Sequence, residues 1–593
     1  MPQSTNLPIY QSLIWRVNVR SRTLSRQPVP EAWSRLGGRG LTACILLDEV
    51  DAKCEPLGSK NKLIFAPGLL VGHMLSSCDR ISIGGKSPLT GGVKEANAGG
   101  TTGLQMTLMG IKALILEDLP VEPGLWVLHL SMQGARFDRA DDLVGLGVYE
   151  TASRLLEEYG SPPKYGGEKV AIALIGPGGE MKLSAAGIQN LDKDKVPSRM
   201  AARGGLGAVM GSKGLKAIVF DAEGCPKPPL ADEKAFRAAQ KVFNKALLEH
   251  PQTATFRDYG TAAMVQLCQR FGSLPTRNFS SGLFEQADSI SGEHLRDLLL
   301  ERGGVSNPTH ACMPGCSIRC SNIFGGEDGK MMVAACATMI VSPLEYETIS
   351  LMGSNLGIDS LDAIARLCWQ VNDLGLDSID VGAALGVAAE AGQMKWGNSK
   401  RAMELLDEIR RGTPLGRVLG NGAVATGKHF GIEHVPAVKR QAMAGYEPRA
   451  IKGTGVTYAT SPQGADHTAG LTIRDKVDHL DPKVQVALSR AKQISMAGYD
   501  TLGACIFAGF GFAVAPAGTI AKLLNARYGW SVPDDILQVL GKETLKLERE
   551  FNRRAGFTAK DDRLPEWMMR EPLPPTNSVF DVAEEDLDKI FEW

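Results

Sequence analysis

The sequence has 593 residues, of which 44% are hydrophobic and 22% are charged, as is typical of globular proteins. Its formal net charge of −1 excludes the long-range basic field that nucleic-acid-binding and membrane-surface proteins use. We therefore expect no nucleic-acid partner. Glycine contributes 67 residues, and this excess over the ordinary share predicts tight backbone turns around a bound ligand.

No segment of the sequence predicts export or a membrane span. Residues 1–20 lack the basic head, apolar core and cleavage site of a secretory signal. Residues 503–520 are uncharged, but Pro516 and several glycines interrupt them, which is typical of buried interior. Eleven cysteines without a secretory signal indicate a reducing compartment, so we expect a cytoplasmic protein without a membrane partner.

Short β-type runs dominate the first part of the chain, and helical patterns dominate the rest. The β-type runs lie at 43–50, 63–71, 81–85, 112–120, 124–131, 169–176 and 215–221, with a local helical pattern at 141–159. After a linker at 224–229, helical patterns lie at 232–248, 361–374, 379–391, 400–410, 484–497, 520–528 and 533–553. We predict an α+β fold, with a β-rich domain of paired sheets over 1–222 and two mostly α-helical domains over 223–415 and 416–593.

Three of the cysteines form a cluster in the sequence. Cys312, Cys316 and Cys320 lie within nine residues, and Pro314 and Gly315 give their loop the bends that face three thiols inward. A [4Fe–4S] cubane needs four soft ligands, and such a loop supplies three of them. Zinc is a rival, although zinc sites usually pair their cysteines as two close doublets, and a buried cysteine-rich loop without metal is a further alternative.

The fourth thiolate of a cubane would come from a distant part of the chain. Cys505 is the best candidate because it lies near the start of the long uncharged stretch, as expected for a ligand at a buried site. Cys336 and Cys368 are the alternatives.

These residues resemble the motifs of a known family. Asp500-x-x-Gly503-x-Cys505, joined to the Cys312 loop, is similar to a motif of the tungsten-dependent aldehyde:ferredoxin oxidoreductases, and 372–377 is similar to their companion D-x-x-G-L-D motif. Further similar passages follow in family order at 36–40, 87–92, 97–100, 203–214, 343–348 and 458–467. The resemblance covers roughly residues 30 to 510, and several motifs in the correct order are more specific than any single one.

The resemblance implies a bis-pterin tungsten or molybdenum cofactor beside one [4Fe–4S] cluster, with Mg²⁺ bridging the pterin phosphates. Asp377 and Asp500 would accept hydrogen bonds from one pterin each, while Asn97 and the backbone near Ala202 would reach the phosphate–magnesium bridge. The implied cofactor-binding residues are Arg80, Asn97, Ala202, Arg203, Gly204, Gly205, Gly207, Asp377, Asp500, Gly503 and Ala504. The implied cluster ligands are Cys312, Cys316, Cys320 and Cys505.

The chemistry that the resemblance implies is the oxidation of an aldehyde to a carboxylic acid. An acid or base near the metal would move the proton, and Glu347, its neighbour Glu345 and His467 occupy the family positions for this task. We favour Glu347. Electrons would pass through the cluster to ferredoxin or a dedicated iron–sulfur subunit, and a homodimer is left open.

Several departures from the family pattern indicate a divergent branch. Three residues, rather than the usual two, separate Cys312 and Cys316, and the E-x-x-H motif of members that bridge subunits with iron is absent. Asn372 stands where the family usually has Asp. A short polar residue in this motif, such as Asn372 or Asp377, could also simply cap the following helix. Gln463 stands where many relatives carry Arg, and we expect this change to alter the entrance of the pocket.

Two rival functions follow from this divergence. One is a low-potential reductase of an aromatic acyl-coenzyme A, as in the benzoyl-coenzyme A reductases. The other is an iron–sulfur electron-transfer subunit that has lost the pterin site, against which the intact Asp500, Cys505 and 204–214 passages argue.

Overall fold

A computed structural model describes residues 10–160, 170–326, 332–334, 337–339 and 343–592. Its first part contains two six-stranded sheets. The first sheet consists of β1 (Leu13–Asn18), β2 (Thr23–Pro28), β3 (Leu63–Pro67), β4 (Ile81–Lys86), β5 (Val93–Ala98) and β6 (Ile111–Glu117). The second consists of β7 (Trp126–Ser131), β8 (Gly134–Arg139), β9 (Val170–Leu174), β10 (Ile188–Leu191), β11 (Pro197–Ala201) and β12 (Leu215–Asp221).

The two sheets repeat one topology. Their strand orders are β2-β1-β6-β3-β4-β5 and β8-β7-β12-β9-β10-β11, and in each sheet only the pair β1–β6 or β7–β12 is parallel. The faces that pack against each other share a core in which the rings of Phe65 and Phe220 lie 6.2 Å apart. Strands β5 and β11, the last of each sheet, lie side by side and lead into the region where the cavities described below are found.

Among the described residues, six α-helices accompany the sheets. They are α1 (Glu31–Ser34), α2 (Gly38–Glu49), α3 (Thr102–Leu108), α4 (Val148–Tyr159), α5 (Pro177–Glu180) and α6 (Leu206–Ser212). The predicted β-type run at 43–50 is wrong, because it lies mostly within α2. Residues 38–46 of this helix are all buried, so its apolar residues carry no helical periodicity that would distinguish it from a buried strand.

The rest of the chain is mostly helical. Its helices are α7 (Glu233–Glu249), α8 (Pro251–Tyr259), α9 (Met264–Arg270), α10 (Gly292–Arg302), α11 (Tyr346–Met352), α12 (Leu361–Leu374), α13 (Ser378–Glu390), α14 (Ser399–Arg410), α15 (Pro414–Gly420), α16 (Ala423–Phe430), α17 (Lys452–Thr460), α18 (Gln485–Leu502), α19 (Ala508–Val514), α20 (Thr519–Tyr528), α21 (Ile536–Ala555), α22 (Glu566–Arg570) and α23 (Glu584–Asp588). Three short ribbons pair β13 (Asn307–His310) with β14 (Ser321–Ile323), β15 (Met332–Ala334) with β16 (Ala337–Met339), and β17 (Ala437–Val438) with β18 (Gln441–Ala442).

The predicted fold class is confirmed, since a two-sheet region precedes a mostly helical one. The division at 222 and 415 stays a prediction. Among the described residues, no helix combines the length and the apolar character that crossing a membrane requires.

Candidate functional site

The three clustered cysteines lie in the loop between β13 and β14, and Cys505 lies just after the end of α18. Ser77 connects the two parts, because its carbonyl accepts a hydrogen bond from the Cys505 amide at 2.8 Å and its hydroxyl lies 3.4 Å from the Cys316 thiol. None of the four cysteines forms a disulfide. The fold therefore brings the predicted fourth ligand to the predicted loop.

The pKa values of the four thiols shift in different directions. Hydrogen bonding from Cys312, Ser77 and nearby backbone amides lowers the pKa of Cys316 to about 5. The neighbouring Cys316 and burial raise the pKa of Cys312, and burial raises the pKa values of Cys320 and Cys505. The charge of another thiol of the group contributes to the raised pKa values of Cys312, Cys320 and Cys505. At Cys316, hydrogen bonds determine the direction of the pKa shift.

The arrangement does not resemble a site for a single ion. Among the described residues, no three His, Cys, Asp or Glu side chains converge as closely as one metal ion requires. A cubane has no such requirement, since each thiolate binds a different iron corner. Of the alternative ligands, Cys368 lies elsewhere, with its sulfur 3.5 Å from the Asn372 amide, and Cys336 falls outside the described residues.

A cavity of about 300 Å³ adjoins the cysteines, and a second of about 290 Å³ continues from it. Cys312, Cys320 and Cys505 line the first cavity. Asn97, Ala202, Arg203 and Asp377 line the second. Both cavities share the side chains of Arg80, Glu345, Glu347, His467 and Thr468.

Glu347 and His467 form a hydrogen-bonding unit on the shared wall. The Nε2 atom of His467 lies 3.1 Å from Oε1 of Glu347, and the Tyr446 hydroxyl donates to the same oxygen at 3.2 Å. The Nδ1 atom of His467 is buried without a hydrogen-bond partner among the described residues. This unit can hold a proton and present it to a molecule in the cavity.

Glu345 has different surroundings. It accepts hydrogen bonds from Thr261 at 3.2 Å and from Ser321 at 3.3 Å, and it lies 3.6 Å from Arg199. Burial raises the pKa of Glu345, and the Arg199 charge opposes that rise. Glu345 is thus held by its protein neighbours, whereas Glu347 is linked to the two aromatic side chains that face the cavity.

Arg203 and Asp377 lie together in the second cavity. Arg203 donates to Asp377 at 3.3 Å and to the Ala465 carbonyl at 2.6 Å, and it also donates to the Ala442 carbonyl. Asp377 caps α13 by accepting the amides of Ile379 and Asp380. Its carboxylate therefore serves as a helix cap and also lines the cavity.

Asp500 reaches the same region through Asn97. The Asn97 amide donates to Asp500 at 3.1 Å, and Arg80 donates to the Asn97 side-chain oxygen at 2.5 Å. Arg39 binds Asp500 at 3.2 Å and makes two hydrogen bonds of 2.8 Å to Glu548. Burial raises the pKa of Asp500 to about 6, against the opposing charge of Arg39.

The predicted glycines approach protein atoms rather than line the two cavities. A side chain at Gly204 would collide with Lys94, one at Gly205 with Pro88 and the Ser184 carbonyl, and one at Gly207 with the Gly187 carbonyl. Ala202 does line the second cavity. Gly503 accepts the Arg80 amide at 3.1 Å through its carbonyl, and Ala504 is buried beside it.

The turns that follow α18 at Gly503 and α12 at Gly375 contact equivalent points of the two sheets. Gly503 ends α18 with a φ of +77° and Gly375 ends α12 with a φ of +69°. A Cβ on Gly68, just after β3, would lie 2.0 Å from the Gly503 nitrogen, and one on Gly176, after β9, would lie 2.7 Å from the Gly375 nitrogen. By this equivalence Asn372, which lines the second cavity, corresponds to Asp500.

The cavity walls have polar atoms left over for a ligand. Oε1 of Glu95 and the Nε and Nη2 atoms of Arg199 are buried without hydrogen-bond partners within the described ranges. Burial and the charge of Asp500 raise the pKa of Glu95 to about 8. Such atoms cost stability unless a bound molecule supplies their partners, so the walls fit a ligand with both donors and acceptors.

Sequence reasoning did not identify several of these residues. Arg199, Glu95 and Tyr446 stand alone in the sequence without a motif, so only their position in the fold marks them. Gln463 lines neither cavity: its side chain is 3% exposed, donates to Glu548 at 2.7 Å and accepts the amide of the cavity-wall residue Glu95 at 3.3 Å. Its effect on the pocket entrance stays a prediction. Although Gln463 is close to His467 in the sequence, it lies in the interior because α21 packs against it.

Comparison with known proteins identifies the family. The family description "Aldehyde ferredoxin oxidoreductase, N-terminal domain" matches residues 14–222, and "Aldehyde ferredoxin oxidoreductase, domains 2 & 3" matches residues 238–592. The chain is 32% identical to a tungsten-containing aldehyde ferredoxin oxidoreductase of Thermococcus kodakarensis, over 94% of this chain and 91% of the relative. It is 31% identical to the protein of that name from Pyrococcus furiosus, with the same shares covered.

A solved structure confirms the fold. The active-site complex BamBC of benzoyl-coenzyme A reductase, in complex with 1,5-dienoyl-CoA, matches with a TM-score of 0.78 over 98% of this chain and 93% of that chain. At 19% sequence identity this likeness concerns the fold alone. The family matches decide the classification: this chain belongs to the aldehyde ferredoxin oxidoreductase family and is an oxidoreductase.

Proposed function

We propose that this chain oxidises an aldehyde to a carboxylic acid at a bis-pterin tungsten site and passes the electrons through a [4Fe–4S] cluster. The carrying observation is that Glu347 and His467 lie on the wall between two adjoining cavities. One cavity is lined by cysteines and the other by the Asp377 and Asn97 groups. We propose tungsten rather than molybdenum because both relatives are named as tungsten-containing.

The residues around the second cavity fit a pterin cofactor. Asp377 and, through Asn97, Asp500 offer acceptors for pterin N–H groups, and the buried Glu95 Oε1 atom is a further acceptor. Arg80 supplies positive charge for phosphates, and Asn97 with the Ala202 backbone offers oxygen ligands for Mg²⁺. When bound, the cofactor supplies the two-electron oxidation of the carbonyl carbon, and the cluster carries the electrons singly.

The proposed reaction converts an aldehyde and one water into a carboxylic acid, two protons and two electrons. Glu347 takes up a proton on its carboxylate as the water oxygen becomes bonded to the carbonyl carbon, and His467 and Tyr446 hold that carboxylate in place through their contacts with Oε1. The electrons leave through the Cys312–Cys505 side of the cavity to ferredoxin or a dedicated iron–sulfur subunit. A cytoplasmic location belongs to this proposal, and a homodimer is left open.

The test is anaerobic purification followed by elemental analysis and an aldehyde-dependent assay. We expect one tungsten and about four irons per chain, reduction of a viologen dye by aldehydes, and carboxylate as the product. Iron without tungsten or molybdenum, in protein from a host that makes the pterin, would favour an electron-transfer subunit. Failure with every aldehyde, together with reduction of an aromatic acyl-coenzyme A by a low-potential donor, would favour the acyl-coenzyme A reductase.

A further inference from the structure

Arg474 lies in the wall of the first cavity and makes no ion pair within 4.0 Å among the described residues. Its guanidinium carbon lies 5.5, 5.8 and 5.0 Å from the ring centres of Phe256, Phe507 and Phe510. Its Nη1 atom is buried, and within the described ranges it has no hydrogen-bond partner. The adjacent carboxylate, Asp475, instead pairs with Lys492 at 2.8 Å.

The other charged groups of this cavity have partners, although the Nε and Nη2 atoms of Arg199 make no hydrogen bonds among the described residues. Arg199 faces Glu345 at 3.6 Å, Glu347 faces His467 at 3.1 Å, and Arg80 binds Asn97. Burial lowers the pKa of Arg474, and the charges of Tyr446 and Asp475 oppose this effect only in part. Contact with three aromatic rings compensates this cost only in part.

The position of Arg474 relative to Glu347 suits a substrate with two polar ends. The Tyr446 hydroxyl donates a hydrogen bond to Glu347. The charge of Arg474 opposes the rise that burial causes in the pKa of the same hydroxyl, so Arg474 lies near it. Phe256 and Phe507, whose rings stack with centres 4.5 Å apart, line the cavity beside Arg474. A cavity of about 300 Å³ admits only a small molecule.

We infer that the substrate is a small aldehyde with a second, anionic group, a carboxylate or sulfonate, that Arg474 binds while the aldehyde faces Glu347. The aromatic walls favour a flat frame between the two ends. Arg474 is then a specificity-determining residue that binds the substrate without taking part in the proton transfer. This inference rests on the proposed function, and it concerns which aldehydes are used.

The experiment compares a matched pair of substrates, 4-formylbenzoate and 4-methylbenzaldehyde. We expect the wild type to prefer the anionic aldehyde by at least about tenfold in kcat/KM, which is the effect of one hydrogen bond to a charged group. Arg474→Gln should abolish the preference through KM with little change in kcat, and Arg474→Lys should retain part of it. Arg490→Gln, at a half-buried arginine that does not line the cavity, is the control for loss of general positive charge.

A binding measurement separates this inference from the proposed function. Calorimetry with the unreactive ketones 4-acetylbenzoate and 4-methylacetophenone should show tighter binding of the anion to the wild type, and thermal melting should show that both Arg474 variants are folded. Equal binding of the two ketones, or a preference unchanged in Arg474→Gln, would overturn the anion site. Oxidation of neither aldehyde, with the binding preference intact, would instead count against the proposed function alone.

Discussion

The Nε2 atom of His467 lies 3.1 Å from Oε1 of Glu347, on the wall that two cavities share. Glu347 belongs to the first turn of α11, whereas His467 lies in a loop after α17, so only the packed fold unites them. The Tyr446 hydroxyl completes the unit, which makes Glu347 the better-placed of the two predicted acid/base carboxylates.

Glu347→Gln should remove this proton-transfer group while keeping the shape of the side chain. We expect kcat for aldehyde oxidation to fall by about 100-fold or more, with the metal content unchanged, because general acid–base catalysis typically contributes that much. Glu345→Gln is the matched comparison and should reduce kcat far less. A larger loss in Glu345→Gln than in Glu347→Gln would reverse the assignment.

The raised pKa of Glu95 predicts how the stability of the cofactor-free protein depends on pH. Its pKa is about 8 in the folded protein and 4.5 ordinarily, so between these values the folded state holds a proton that the unfolded state has released. Stability should therefore fall as pH rises through this window. Between pH 5 and about pH 8.5, the apparent melting temperature of Glu95→Gln should fall by several degrees less than that of the wild type. The control is Glu585→Gln, at an exposed residue, which should behave like the wild type. Identical slopes in the wild type and Glu95→Gln would contradict the assignment.

Cys505→Ser tests the fourth cluster ligand. We expect iron to fall from about four to about three atoms per chain or fewer, with loss of the paramagnetic signal of the reduced cluster. Cys78→Ser is the control, since Cys78 is a buried thiol close enough for its charge to act on Cys505 but is not among the predicted ligands. If Cys505→Ser keeps its iron and Cys368→Ser loses it, Cys368 is the ligand.

The Arg39–Glu548 pair predicts a large effect on stability. Both side chains are buried, and their two hydrogen bonds of 2.8 Å join α2 to α21. Among the described residues, Glu548→Gln removes one of the two carboxylates that pair with the buried guanidinium and leaves Asp500, so we expect about 3–5 kcal/mol of destabilisation in chemical denaturation. Glu543→Gln, at an exposed position of the same helix, should leave the unfolding midpoint unchanged, and an equal effect of both changes would refute the pair's role.

Some features of the fold could be predicted from local patterns. The pattern at 361–374 coincides with α12, because Ser360 caps its start and Gly375 ends it in the left-handed region. A repeat was also detectable in principle, since Gly-Ile-Lys-Ala at 110–113 and Gly-Leu-Lys-Ala at 214–217 open the equivalent strands β6 and β12. The signal is short because most positions of a buried strand accept any apolar residue of suitable size.

The sequence by itself determined the classification and predicted the residues of the site. The cysteine spacing and the Asp500 and Asp377 motifs are local, and their residue types alone indicate the ligands that iron and pterins require. The tertiary structure decided which of these groups meet. It paired Glu347 with His467, buried Gln463 against Glu548, and left the Nη1 atom of Arg474 without a hydrogen bond in the described part of the cavity wall. These relationships depend on side chains from distant elements packing at one place, and an ion pair or an orphaned charge exists only once water has been excluded there.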